Sequence, residues 1–122
     1  IEAGVKFRLN ENFVLPIRAF HNNLNVTGYK FDDLVYLTDV KKIDLQFKHE
    51  LINLKILVIS CLRIESHPSH LNLEEALKLI YELKPKKTYL IHISHLLGFH
   101  DEVSSILPNN VFLAYDNLTI RC

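Results

Sequence analysis

Leu54-Lys55-Ile56-Leu57-Val58-Ile59-Ser60-Cys61-Leu62 is the stretch whose reading decides the fold. It is a nearly continuous apolar run with β-branched residues, the pattern of a strand buried on both faces and therefore central in its sheet. Downstream, Asn72 followed three residues later by Glu75 matches a capping box, and Leu73, Ala76, Leu77 and Ile80 mark one helical face until Pro85 forbids continuation. Lys87 to Ile91 predicts a second buried strand ending at His92, and a helix is predicted near Phe99 to Leu107, stopping before Pro108. Val111 to Tyr115 and Leu118 to Ile120 predict short closing strands around an Asp116-Asn117 turn.

Upstream, Val5 to Leu9 alternates apolar and polar residues like a half-buried strand. Phe13 to Phe20 is apolar with a proline at 16, Val26 to Phe31 follows an Asn-rich turn, and Asp32-Asp33 turns the chain into Leu34 to Leu37, with Asp39 just beyond. From Ile43 to Leu54, apolar residues at 43, 47, 51 and 54 predict a short amphipathic helix. The order is a strand meander followed by strand-helix-strand-helix-strand, with no internal repeat or low-complexity linker. That pattern predicts an α/β layer of one sheet with helices on one face.

At 122 residues and 48% hydrophobic content the chain has the size and composition of a single ordered domain. Fourteen basic and fourteen acidic residues cancel to a net charge of zero, which removes any electrostatic reason for nonspecific attraction to nucleic acid or an acidic membrane. No apolar run approaches the roughly 20 residues of a membrane span, and no basic-then-apolar segment reads as a secretory signal. A cytoplasmic location is the expectation. Cys61 and Cys122 form neither a disulfide framework nor a spaced zinc motif and read as reduced thiols. The chain starts at Ile1 and contains no methionine, so a preceding segment is expected.

His21, Asp39, His70, His92 and His95 each close or follow an apolar, strand-like run. Histidine is the commonest metal ligand and titrates near neutral pH, so such scatter at strand ends suggests a site. Taken singly, each has an ordinary reading. A histidine after a strand is usually a surface or hydrogen-bonded residue, and an aspartate there is usually a turn residue or helix cap. His70 could sit beside a helix cap and His95 could open the last helix. His49, His67 and His100 are assigned to the surface and Cys61 to core packing.

Taken together, Ala19-Phe20-His21, Gly28-Tyr29, Tyr36-Leu37-Thr38-Asp39, Pro68-Ser69-His70-Leu71 and Leu90-Ile91-His92-Ile93-Ser94-His95 resemble the carboxy-terminal half of metallo-β-lactamase-fold hydrolases. Within that superfamily the chain is most similar to the phosphodiesterases that open phosphoribosyl cyclic phosphates. The resemblance spans residues 1–122 as a single half-domain and implies half of a four-layer αββα sandwich with a two-metal site, zinc or manganese, at the mouth between its sheets. It implies that His21 ligates the first metal, that Asp39 bridges the two, and that His92 is the last ligand of the second. His70 would lie near the substrate phosphate as general acid or charge stabiliser, and His95 would touch substrate or support a ligand. The family's H-x-H-x-D-H signature, which supplies four ligands, is absent from this sequence.

The residue types suit that chemistry. Two divalent ions about 3.5–4 Å apart need a carboxylate that can span both, with neutral imidazoles completing each shell. An imidazolium nearby can protonate a departing oxygen.

The favoured expectation is thus a metal-dependent phosphodiesterase or phosphoester hydrolase acting on a small phosphodiester, incomplete and inactive as this fragment alone. It would be completed by the missing amino-terminal half or by a second copy. One alternative is a transfer-RNA 3'-processing endonuclease of the same superfamily. Against it stand the neutral charge and Leu37-Thr38, which replace the usual glycine before the bridging aspartate. The other is a non-catalytic interaction or scaffold module.

Overall fold

In the computed structural model, which describes residues 1–61, 71–91 and 100–121, the aliphatic run becomes the interior of a mixed sheet. The strands in chain order are β1 (Phe7–Leu9), β2 (Asn12–His21), β3 (Leu24–Phe31), β4 (Leu34–Leu37), β5 (Lys42–Ile43), β6 (Ile56–Ser60), β7 (Lys87–Ile91) and β8 (Val111–Leu113). Helices α1 (Leu73–Leu83) and α2 (His100–Ile106) follow β6 and β7 respectively. The sheet is 8-stranded among the described residues, ordered β1-β2-β3-β4-β6-β7-β8, with β5 paired to β2. β1 to β4 form an antiparallel meander, and β4, β6, β7 and β8 run parallel. Parallel neighbours need crossover connections, and these are what place α1 and α2.

Short polar turns close the meander. His21 pairs with Leu24 and Phe31 with Leu34, leaving two residues at each hairpin tip. Asn22 and Asp32 take left-handed backbone there (φ 56° and 51°), which short polar side chains tolerate well.

Every residue of β6 is buried, as a central strand requires. Strand alternation sends Leu15, Ile17, Ala19, Val35, Leu37, Leu57, Ile59, Leu90, Val111 and Leu113 into one core, where they meet Leu73, Ala76, Ile80 and Leu83 of α1 and Val103 of α2. Alternate positions face the other way. Pairing aligns Pro16, Tyr29, Tyr36, Val58, Tyr89 and Phe112 in one row across the sheet, with the Tyr89 and Phe112 rings stacked at 5.4 Å.

The segment predicted as a helix from Ile43 to Leu54 is different. Lys42–Ile43 pairs with β2, and Leu45–Leu51 forms a 3-10 helix capped by the Asp44 side chain, which accepts from Gln46 N–H. The apolar positions still face inward, since Ile43, Leu51 and Leu54 are buried and Phe47 packs against the core. The tighter 3-10 turn reaches the same face, held at its start by β5 and followed by left-handed Asn53 (φ 57°).

The closing strand expected at Leu118 to Ile120 is absent. Leu118 N–H donates to the Tyr115 carbonyl in a turn, and no neighbouring strand among the described residues offers those residues a ladder. The strand before it is also shorter than expected, Val111–Leu113. No described helix is long and apolar enough to cross a membrane.

Candidate metal centre

β2 is antiparallel to β3 and β3 to β4, so β2 points the same way as β4, β6 and β7. The four strands therefore finish at one edge of the sheet. His21 is the last residue of β2, Asp39 lies two beyond the end of β4, and Ser60 and Ile91 are the last residues of β6 and β7. Carboxyl ends of sheet strands are where α/β folds commonly place ligand sites.

His21 and Asp39 meet there directly. The His21 Nδ1–H donates to the Asp39 backbone carbonyl at 3.0 Å. Because a carbonyl oxygen can only accept, Nδ1 must carry the proton, which leaves Nε2 as the ring nitrogen that would offer a lone pair to a metal. Metal-ligating histidines are oriented in this way, by a hydrogen bond from the other ring nitrogen. Asp39 itself has left-handed backbone (φ 54°), a conformation that aspartate adopts at modest cost and β-branched residues resist.

The loop after Asp39 is held on several sides. The buried Val40 donates its N–H to Ser60 Oγ at 3.2 Å, and its carbonyl accepts from Leu71 N–H at 3.1 Å. Lys41 N–H donates to the Phe20 carbonyl at 2.8 Å, beside His21. The Lys41 ammonium holds both oxygens of Glu75 at 2.7 and 2.8 Å, fastening the loop to the first turn of α1. Burial presses the Glu75 carboxyl upward. The Lys41 hydrogen bond, the Asn72 N–H and the Lys41 charge outweigh it and hold Glu75 below its ordinary value. On the far side, Cys61 N–H donates to the Ile91 carbonyl at 2.9 Å. The Cys61 thiol is buried and pushed up to about 12 by burial, which suits the packing role expected of it.

Of the residues predicted for the site, the structure brings His21 and Asp39 together. His70, His92 and His95 lie outside the described residues, as does His67. In the chain, His70 immediately precedes Leu71, and His92 immediately follows Ile91. Among the described residues no group of three or more histidine, cysteine, aspartate or glutamate side chains is arranged to hold a metal. His21 and Asp39 are suited to a divalent ion by donor type and by the orientation of the imidazole, and would supply part of a shell. His49 is exposed and faces Glu50, as a surface histidine should. Sequence reasoning passed over Ser60, although hydroxyls in buried strands are as a rule hydrogen-bonded, and that was a usable signal.

The family model described as a beta-lactamase superfamily domain matches residues 1–93. A diphosphatase of the PhnP family has a solved structure that superposes at a TM-score of 0.91 with 33% identity, over 96% of this chain and 46% of that one. An octanoyltransferase of Porphyromonas gingivalis is 33% identical over 119 residues, which is 97% of this chain and 24% of that protein. Zn(2+)-bound PqqB from Methylobacterium extorquens shares the fold at a TM-score of 0.77 and 12% identity, over 100% of this chain and 55% of that one. The chain thus spans about half the length of the solved structures and a quarter of the octanoyltransferase.

Proposed function

From a chain that belongs to the beta-lactamase superfamily domain family, we propose part of a metal-dependent hydrolase that cleaves small phosphodiesters and is incomplete without further ligands. The observation that carries this reading is the meeting of His21 and Asp39 at the shared strand edge, with the His21 ring oriented through Nδ1. The 33% identity to a PhnP-family diphosphatase supports chemistry at phosphorus. The four ligands of an H-x-H-x-D-H signature, absent from these 122 residues, come from a further segment that completes the fold.

His21 Nε2 and the Asp39 carboxylate would hold the metal, with His92 as a further ligand. Divalent ions, when bound, would acidify water and neutralise charge at the phosphate. Within the chain, the Asp39 carbonyl keeps the proton on His21 Nδ1, and Lys41 is committed to Glu75 rather than to substrate. His70 donates the proton that the leaving oxygen takes, and His95 supports a ligand or touches substrate. A cytoplasmic location belongs to the same reading.

The transfer-RNA endonuclease alternative rests on fold alone, since human tRNase Z short form is 16% identical. A chain of zero net charge offers it no basic channel. The octanoyltransferase match leaves three quarters of that protein unaligned, so acyl transfer is not adopted.

The test uses the full-length protein with zinc or manganese and three substrates: a bis-aryl phosphodiester, a cyclic ribosyl phosphate and a diphosphate ester. The expected result is metal-dependent hydrolysis that a chelator abolishes, with Asp39→Ala losing at least one ion per molecule together with activity. Retention of full metal content and turnover by Asp39→Ala would remove the assignment, and a protein that binds no metal at all would leave the scaffold reading.

A further inference from the structure

We propose that Ser60 is a positioning residue that sets the ligating geometry of Asp39 and His21 by holding the Val40 N–H; this rests on the metal-centre reading above. Ser60 closes β6, is 0% exposed, and accepts from Val40 N–H at 3.2 Å across 20 residues of sequence. It touches neither His21 nor Asp39 in this hydrogen bond, so it acts through the peptide that joins Asp39 to Val40.

That peptide is the junction of the whole edge. On one side Asp39 holds a left-handed backbone, and its carbonyl takes the His21 Nδ1–H. On the other side Val40 is fully buried, so its N–H has no access to water and depends on the Ser60 oxygen. The Val40 carbonyl accepts from Leu71 N–H, the residue after His70. Cys61, the neighbour of Ser60, donates to the carbonyl of Ile91, the residue before His92. Each of the four residues assigned to metal or proton transfer is therefore itself in, or covalently next to, a residue of one backbone network that runs through Ser60 and Val40.

Two forces compete at Asp39. Its positive φ is disfavoured for a residue with a Cβ, and the chain would relax toward the ordinary region if the Val40 amide could turn to seek another acceptor. The Ser60 hydroxyl removes that option. With it gone, the Asp39 carbonyl swings, the His21 Nδ1 loses a fixed acceptor, and the imidazole samples both tautomers and more than one ring orientation.

The experiment compares Ser60→Ala, Ser60→Cys and Ser60→Thr in the full-length protein. Thermal melts identify the folded variants. The metal-free state is read by the exchange rate of the Val40 amide and by the ¹⁵N shifts of the His21 ring, which report its tautomer. Zinc titration reads affinity. Loss of a partner that orients a metal ligand typically weakens metal binding about 10–100-fold, and that is the loss expected for Ser60→Ala. Ser60→Cys, close in size but with a weaker acceptor, falls between, and Ser60→Thr, which keeps the hydroxyl, restores both affinity and a single His21 tautomer. A merely structural serine would lower the melting temperature and leave the His21 spectrum and the affinity of folded protein unchanged; that outcome in Ser60→Ala, or in Ser60→Cys if the alanine variant does not fold, overturns the proposal. Should wild-type protein bind no zinc, the metal-centre reading fails on its own, and the Val40 and His21 signals still decide whether Ser60 positions the pair.

Discussion

Gly28 shows how closely the residues beneath the site are fitted. It faces the core in β3 opposite Ile17, and a Cβ placed there would fall inside the Leu37 side chain and lie 3.1 Å from the Tyr36 carbonyl. Leu37 is 1% exposed and lies two residues before Asp39, so it has little room to retreat without moving that loop. Gly28→Ala is expected to destabilise the fold by about 1–3 kcal/mol, the usual cost of overpacking, and to weaken metal binding, read by chemical denaturation and zinc titration. The assigned roles separate by measurement too. His70→Ala in the full-length enzyme should keep its metal while turnover falls about 10²–10⁴-fold, the usual worth of general acid catalysis. Loss of metal would instead make His70 a ligand. The placement of His21 and Asp39 at strand ends was legible in the sequence, because β2 closes on His21 and β4 ends two residues before Asp39. The Ser60 contact was not, because its partner is set by which strands become neighbours, and one sequence does not state that β4 pairs with β6.

The elements differ in how much of their cause is local. α1 is almost wholly so: Asn72 accepts from Glu75 N–H at 2.8 Å, and Glu75 accepts from Asn72 N–H at 3.2 Å, the reciprocal bonds that the spacing predicts. Asn72→Ala should cost about 1 kcal/mol of stability by chemical denaturation. The same helix start carries a pH dependence. Glu75 is held below its ordinary value of 4.5, so the unfolded chain takes up the proton first and stability rises with pH through this range. Its contribution is complete above the ordinary value and is lost as pH falls through the folded one. Glu50, lowered chiefly by its hydrogen bond from Lys30, adds a term of the same sign. Melting temperature should therefore drop on acidification, and Glu75→Gln should begin lower and fall less steeply; an unchanged slope would show that the Lys41–Glu75 tie is energetically silent. The segment from Ile43 to Leu54 resisted reading for the opposite reason. Its apolar spacing serves a 3-10 turn and an α-helix alike, and the choice is made by β5 pairing with β2, a contact far off in sequence.

For the molecule as a whole, the question is what covers the second face of the sheet. The helices cover one face; the row of Pro16, Tyr29, Tyr36, Val58, Tyr89 and Phe112 lies on the other, where Tyr36 is 42% and Phe112 is 40% exposed. Along that row Tyr36 and Phe112 are exposed, Tyr29 and Tyr89 are half-buried and Val58 is buried, and apolar patches beyond a few hundred Å² drive association at roughly 25 cal/mol per Å² removed from water. In the αββα sandwich to which this half-sheet corresponds, a second sheet packs there. The 122-residue chain on its own should therefore associate through this face, most simply as a two-fold pair, and should bind zinc or manganese weakly and below one ion per molecule. Light scattering with intact mass would read the association, and Tyr36→Lys with Phe112→Lys should shift it toward monomer, whereas Leu45→Lys, which removes an exposed leucine on the 3-10 helix, should not. The linkage has a further consequence. If the segment that covers the face also carries the remaining ligands, adding it in trans should abolish self-association and raise metal stoichiometry to two in the same titration, with the two changes sharing one midpoint. A stable monomer of the isolated chain, holding two ions without any added segment, would break both halves of that argument at once.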